Sequence, residues 1–316
     1  MTITINKLAE LEQNFNQQVA RLKASESYQK LLAMPPVKRW ATLAGLFLLS
    51  QVLVFGSLYL LFGPVVVIGF LASILAGFAT GLGALPALFL KNISNNLFNC
   101  LLGAAAGVML AATAFSLLVP GIDYGNLVWP GKGIYVVSLG MLIGAIFLHY
   151  ADRQLPHVNF ATVADTHSMS MKKIWLFIIA ITIHNFPEGM SVGVSFGSGE
   201  MKNGIVLAVA IALQNIPEGL AVALPLVGLG FNKWRAVGIA TLTGLVEPVG
   251  GLLGITMVTV FEPLLSIAMG FAAGAMLFVI SEEIIPETHI QGRSRYATFA
   301  LMVGFIIMMI LDKMLG

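Results

Sequence analysis

Nine long apolar stretches fill most of the chain beyond residue 40, at about 41–62, 65–90, 97–119, 133–151, 174–196, 204–228, 236–259, 263–285 and 297–315. Each can cross a hydrocarbon core of ~30 Å as an α-helix. Two of them nearly merge around Glu262-Pro263. The region before them is different: residues 1–40 are polar, with Ile5, Leu8, Leu11, Phe15, Val19 and Leu22 stepping by three or four. That spacing predicts a cytosolic amphipathic helix, lying on the membrane surface or against a partner helix, which Pro35-Pro36 ends. Small-xxx-small pairs recur in the apolar stretches (Gly77/Gly81, Gly103/Gly107, Gly140/Gly144, Gly250/Gly254, Gly270/Gly274) and predict close helix approach.

Composition agrees with this pattern. Apolar residues make up 58% of the 316, charged residues 10%, and mean hydropathy is +0.90. Soluble domains carry charge on roughly 25% of their residues, so the chain is expected to be an all-α polytopic membrane protein, integral to the bilayer. Its single cysteine, Cys100, excludes an intrachain disulfide and a thiolate metal cluster. The polar first 40 residues and the long apolar run after them do not read as a secretory signal.

Net charge is only +2, but its distribution is informative. With nine spans and a cytoplasmic N-terminus, 14 of the 17 Lys and Arg fall on the inside and 3 (Lys132, Lys202, Lys313) on the outside. The positive-inside rule therefore predicts a cytoplasmic N-terminus and an external C-terminus. The one long connection, about 152–173, is a cytosolic loop carrying His157, Asp165 and His167 and reads as a linker.

Two near-copies of a hexapeptide interrupt the apolar pattern: His184-Asn185-Phe186-Pro187-Glu188-Gly189 and Gln214-Asn215-Ile216-Pro217-Glu218-Gly219. A charge at bilayer mid-depth costs roughly 2.5–3.5 kcal/mol on insertion scales, so such residues announce function. His184 and Glu188 are i, i+4 on a helix and share a face with Asn185; Gln214, Asn215 and Glu218 repeat the geometry 30 residues later. Both motifs fall mid-span, so antiparallel neighbours would bring them to one depth as an inverted repeat, where transporter sites form. Pro187 and Pro217 each free the carbonyl four residues earlier, predicting a kink beside a polar cavity. Glu247-Pro248, central in its own stretch, adds a third carboxylate. Imidazole, carboxylate and amide oxygen suit Zn²⁺ first, then Fe²⁺, Mn²⁺ or Cd²⁺.

HNFPEG and QNIPEG on consecutive spans, followed by Glu247-Pro248, resemble the ZIP metal transporters, in particular the bacterial GufA-like branch. The resemblance covers about residues 65–316. It implies an eight-helix transport domain with inverted repeats, so that 41–62 is one extra N-terminal transmembrane helix. It also implies a two-metal centre. One ion would be held by His184, Glu188, Gln214 and Glu218, and a second would lie against Asn185, Asn215 and Glu247, with Glu188 and Glu218 bridging. Relatives often have Asp where this chain has Asn215, and an amide there weakens the second position. Met109, Ser116 and Asp123 resemble the family's outer entrance, while Glu282, Glu283 and His289, joined by His149, resemble an exit ladder; many members have a histidine where Glu282 stands. The implied function is import of Zn²⁺ or a similar divalent ion into the cytoplasm by alternating access, in a bacterial inner membrane.

Two other functions fit the motifs less well. An intramembrane metalloprotease with one metal wants His-Glu-x-x-His on a helix, which is absent. A proton- or sodium-coupled carrier of an organic solute would want a recognising Arg or aromatic pocket at mid-depth, and the motifs supply only Phe186. The expected partners are the bilayer and divalent ions, with no nucleic acid; the sequence leaves open whether the chain forms a homodimer.

Overall fold

A computed structural model of the chain describes residues 17, 18, 21, 23–90, 94–153, 171–228, 230–289 and 294–315. The start of the predicted amphipathic helix, and His157, Asp165 and His167 in the long connection, lie outside the described residues. Every regular element among the described residues is helical, and the protein is an all-α polytopic membrane protein. The chain divides into two units, Met1–Leu60 and Leu61–Gly316.

In the first unit a short helix α1 (Glu26–Ala33) is capped by the Ser25 side chain, which accepts from the Tyr28 N–H. Pro36 then opens α2 (Pro36–Phe62), since a proline at the first helical position loses no hydrogen bond. The extra span thus begins five residues earlier than its apolar stretch.

The second unit contains α3 (Pro64–Ala84), α4 (Asn95–Ala112), α5 (Val119–Val128), α6 (Gly133–Arg153), α7 (Met171–Gly197), α8 (Met201–Gly228), α9 (Lys233–Gly244), α10 (Glu247–Val260), α11 (Leu264–Val279), α12 (Ile285–His289) and α13 (Ser294–Leu315). Wide π-type turns at Thr113–Leu118 and Ile280–Ile284 carry α4 into α5 and α11 into α12. Among the described residues, eight helical stretches are long and apolar enough to cross a membrane. The sequence pattern counts nine. The remaining one, α7, is a helix of 27 residues whose side chains are described only in part.

Two local features depart from the pattern. The stretch read as one span at 236–259 is two helices, α9 and α10, separated at Leu245-Val246. The 97–119 stretch continues as helix to Val128, so Asp123 is helical and not in a loop. Pro187 and Pro217 each lie inside a helix, α7 and α8, that continues on either side of them.

Helix packing in this unit rests on glycine. A methyl group added at Gly189 or Gly193 would strike the backbone of Glu247 or Gly251, and Gly250 answers against Phe186, which locks α7 to α10. Gly219 lies against Thr80, Gly83 against Ile216 and Gly77 against Gly244, which lock α3 to α8 and α9. Gly103 and Gly107 meet Ala297 and Leu301, joining α4 to α13; Gly140 and Gly144 meet Ile267 and Phe271, joining α6 to α11. Lipid gives helices no hydrophobic reason to associate, so this close contact of backbones supplies the attraction. Among the described residues, every such approach stays within one of two sets: α3, α7, α8, α9 and α10, or α4, α5, α6, α11 and α13. The sets touch along α4–α8 and α7–α11, where no glycine locks them.

Gly274 lies against the Met141 backbone, whereas Gly238 in α9 has open space around it. Gly274→Ala should lower stability by about 1–3 kcal/mol through overpacking. Gly238→Ala should be neutral or stabilising by up to about 1 kcal/mol, as the helix propensities of Ala and Gly dictate. Thermal unfolding of the two purified variants in detergent distinguishes these outcomes.

Candidate metal centre

His184 and Gln214 are each the fourteenth residue of their helices, α7 with 27 residues and α8 with 28. A three-residue turn, Ser198 to Glu200, joins those helices, and they pack together. The two motifs therefore meet at their midpoints. The glycine that follows each glutamate makes this possible: Gly189 admits the backbone of Glu247, and Gly219 admits that of Thr80.

Glu247 reaches the same level by a different route. It is the first residue of α10, with Pro248 behind it, just after the break from α9. The unpaired N–H groups of a helix start carry roughly half a positive charge, which stabilises a carboxylate there. Pro248 was the available sign of this break, since proline favours the first turn of a helix over its interior.

All seven predicted side chains are buried, with His184 and Glu218 the most accessible at 5%. Glu247 interacts electrostatically with both Glu188 and Glu218. Glu188 interacts with His184 and with the Gln214 side chain. The Asn215 amide nitrogen donates to Glu247 Oε1 at 2.6 Å and to the Ala76 carbonyl of α3 at 2.8 Å. Gln214 Nε2 donates to Asn215 Oδ1 at 3.2 Å. Several other oxygens have no hydrogen-bond donor although they are fully enclosed: Asn185 Oδ1, Glu188 Oε2, Gln214 Oε1 and Glu247 Oε2. Each such atom costs about 1–3 kcal/mol when left unsatisfied. Among the described residues, no three His, Cys, Asp or Glu side chains converge tightly enough to hold an ion on their own.

The peripheral residues are distributed unevenly. Asp123 lines a cavity of about 350 Å³ together with Glu200, Asn203, Asp312 and Lys313. Ser116, buried in the π-type turn, donates to Asp312 Oδ1 at 2.8 Å and so joins the wall of that cavity from behind. Met109 is fully buried in α4, outside the cavity lining. At the opposite region, Glu282 is exposed in the second π-type turn. His149 lies with its ring 6.1 Å from that of Phe278. Glu283 and His289 have described backbones only. Sequence reasoning missed Asp312 and Glu200. The Ser116–Asp312 pair is separated by 196 positions, so no local spacing could have revealed it.

A bundle of lipid-length helices that encloses carboxylates, amides and an imidazole at its middle is a membrane protein built around a cation-grade site. Comparison with known proteins gives the family. The pattern described as "ZIP Zinc transporter" matches residues 161–312. Zinc transporter ZIPB of Bordetella bronchiseptica is 45% identical over 245 residues, covering 76% of this chain and 79% of its own length. Zinc transporter GufA of Myxococcus xanthus is 41% identical over 255 residues, 78% of this chain and 99% of that protein. Zinc transporter ZIP11 of Homo sapiens is 34% identical over 299 residues, 68% and 87%. The chain belongs to the ZIP family.

The amide of Asn215 holds two acceptors that cannot turn to water. Asn215→Leu leaves Glu247 Oε1 without its donor, whereas the Ala76 carbonyl stays within the hydrogen-bonded interior of α3, so the variant should lose about 1–3 kcal/mol in metal-free buffer. Chelator-treated protein unfolding at unchanged temperature would contradict this network.

Proposed function

We propose that the chain imports Zn²⁺, or a chemically similar divalent ion, into the cytoplasm through the centre formed by His184, Asn185, Glu188, Gln214, Asn215, Glu218 and Glu247. The observation that carries this reading is the set of enclosed oxygens on Asn185, Glu188, Gln214 and Glu247 that lack donors. A dication satisfies several at once, and it offsets carboxylate charge that is otherwise expensive to bury. Oxygen and nitrogen ligands without thiolate hold Zn²⁺ without trapping it. Relatives named as zinc transporters support the choice of ion.

The route follows from charge and topology. The excess of Lys and Arg on alternate connections supports a cytoplasmic N-terminus and an external C-terminus. With that orientation, Asp123, Glu200 and Asp312 face outside and concentrate cations at the mouth. Ser116 and the buried Met109 belong to the path inward, and Glu282, Glu283, His149 and His289 to release on the inside. Every ligand of the centre is on α7, α8 or α10, which belong to one glycine-locked set with α3 and α9. Alternating access is movement of that set, with the ion it holds, against α4, α5, α6, α11 and α13. The membrane is the bacterial inner membrane.

Glu188→Ala should abolish ⁶⁵Zn uptake into proteoliposomes while leaving membrane insertion intact; normal uptake by this variant would remove Glu188 from the site. At the mouth, Asp123→Asn combined with Glu200→Gln should slow uptake at low Zn²⁺ and low salt by several-fold. The defect should shrink toward 0.5 M salt, where screening shortens the reach of surface charge to a few ångströms. A defect independent of ionic strength would mean that these carboxylates do not steer the ion.

A further inference from the structure

We propose that Tyr124 is a positioning residue for transport, its hydroxyl latching the outer mouth shut across the seam between the two helix sets. This rests on the orientation and the movement of sets given above, and adds the group that holds the closed position. Tyr124 is on α5, in the second set, and its hydroxyl donates to the Ser198 carbonyl at 3.2 Å. Ser198 belongs to the turn between α7 and α8, in the first set. Both residues are half-buried, and Tyr124 lines the mouth cavity with Asp123, Glu200 and Asp312. None of the seven centre residues lines that cavity, so the mouth is separated from the centre in this conformation.

Each end of the bond is fixed within its own set. Behind Tyr124, Gly125 lies against the Gly133 backbone, and Asn126 Oδ1 accepts from the Gly133 N–H at 2.9 Å, which ties α5 to α6. Across the seam, Ser198 Oγ donates to the Ser195 carbonyl at 2.7 Å and accepts from the Glu200 N–H at 3.3 Å. Gly199 reverses the chain at φ 84°, and Asn203 Nδ2 donates to Glu200 Oε2 at 2.5 Å. The Ser198 carbonyl follows the last turn of α7, where carbonyls lack a helical partner. Among the described residues no backbone N–H donates to it, so its donor comes from the opposite set. With both ends fixed, the bond breaks when one set slides past the other, while the glycine contacts within each set persist. Water takes over both groups once the mouth opens, so the latch is worth one neutral hydrogen bond. That favours the closed position about twofold to tenfold, a bias that does not stall a cycle.

Tyr124→Phe keeps the ring and removes the donor, which separates the latch from packing. In the full-length chain with Cys100→Ser, spin labels are attached at Lys132→Cys and Lys202→Cys, exposed positions beside the second and first sets. Their separation is measured in liposomes by pulsed electron spin resonance. Tyr124→Phe should raise the population away from the main wild-type separation about twofold to tenfold. In intact cells it should lower KM for external Zn²⁺ by a similar factor, because apparent affinity scales with the fraction of molecules open to the ion. An unchanged distance distribution overturns the proposal, whatever happens to kcat, and so does a redistribution with unchanged KM. Redistribution with a raised KM would put the latch on the cytoplasmic side and overturn the orientation. Absence of zinc uptake by the wild-type chain would remove the transport reading, a result to which the distance measurement is indifferent.

Discussion

Three carboxylates enclosed halfway along a lipid-length bundle are the constraint to which the rest of the structure answers. Removing a carboxylate from water costs several kcal/mol even after a protein relaxes around it, and Glu188, Glu218 and Glu247 are each at most 5% exposed. The compensation differs at each. Glu247 has a helix start and an amide donor. Glu188 has His184 and the Gln214 side chain as neighbours. One oxygen each of Glu188 and Glu247 remains enclosed with no donor. The imbalance that remains is what a dication would relieve, so the centre's affinity and its cost to the fold have one origin.

Bringing such charges together requires backbones to approach more closely than side chains normally permit. The Pro-Glu-Gly motif carries both halves of that requirement in adjacent residues. Glu188 and Glu218 are ligand candidates, and Gly189 and Gly219 admit the neighbouring backbones of Glu247 and Thr80. The same device joins α4 to α13, and α6 to α5 and α11; α4 runs on into α5 through a π-type turn, and this second set contributes none of the seven candidate ligands. A molecule that must hold an ion tightly and still expose it to either side benefits from this division. Rigidity is kept within each set, and the interface between them is left without backbone interlocks.

Much of this was legible in the sequence, because bilayer thickness and helical periodicity act locally. The apolar stretches mark the helices, the small-xxx-small pairs fall at close helix contacts, all but Gly81 against backbone, and the repeated hexapeptide identifies two facing polar surfaces. The departures come from interactions that spacing does not encode. The α9–α10 break leaves the apolar stretch at 236–259 continuous, because both halves are lipid-facing on one side; only Pro248 hints at it. Asp312 was not legible beside Asp123 because its partner, Ser116, lies 196 positions away on another helix. The double role of Asn215, donor to Glu247 and acceptor from Gln214, depends on an amide orientation that only three-dimensional neighbours fix.

Anomalous diffraction at the zinc edge, from crystals of the full chain equilibrated with Zn²⁺, tests the central claim most directly. The account predicts a peak between α7 and α8 at the level of Glu188 and Glu218, with oxygen and nitrogen neighbours that include His184 and no sulfur. Zinc found only at the Asp123–Glu200–Asp312 cavity or near His149 and His289, with the middle of the bundle empty at saturating metal, would contradict it.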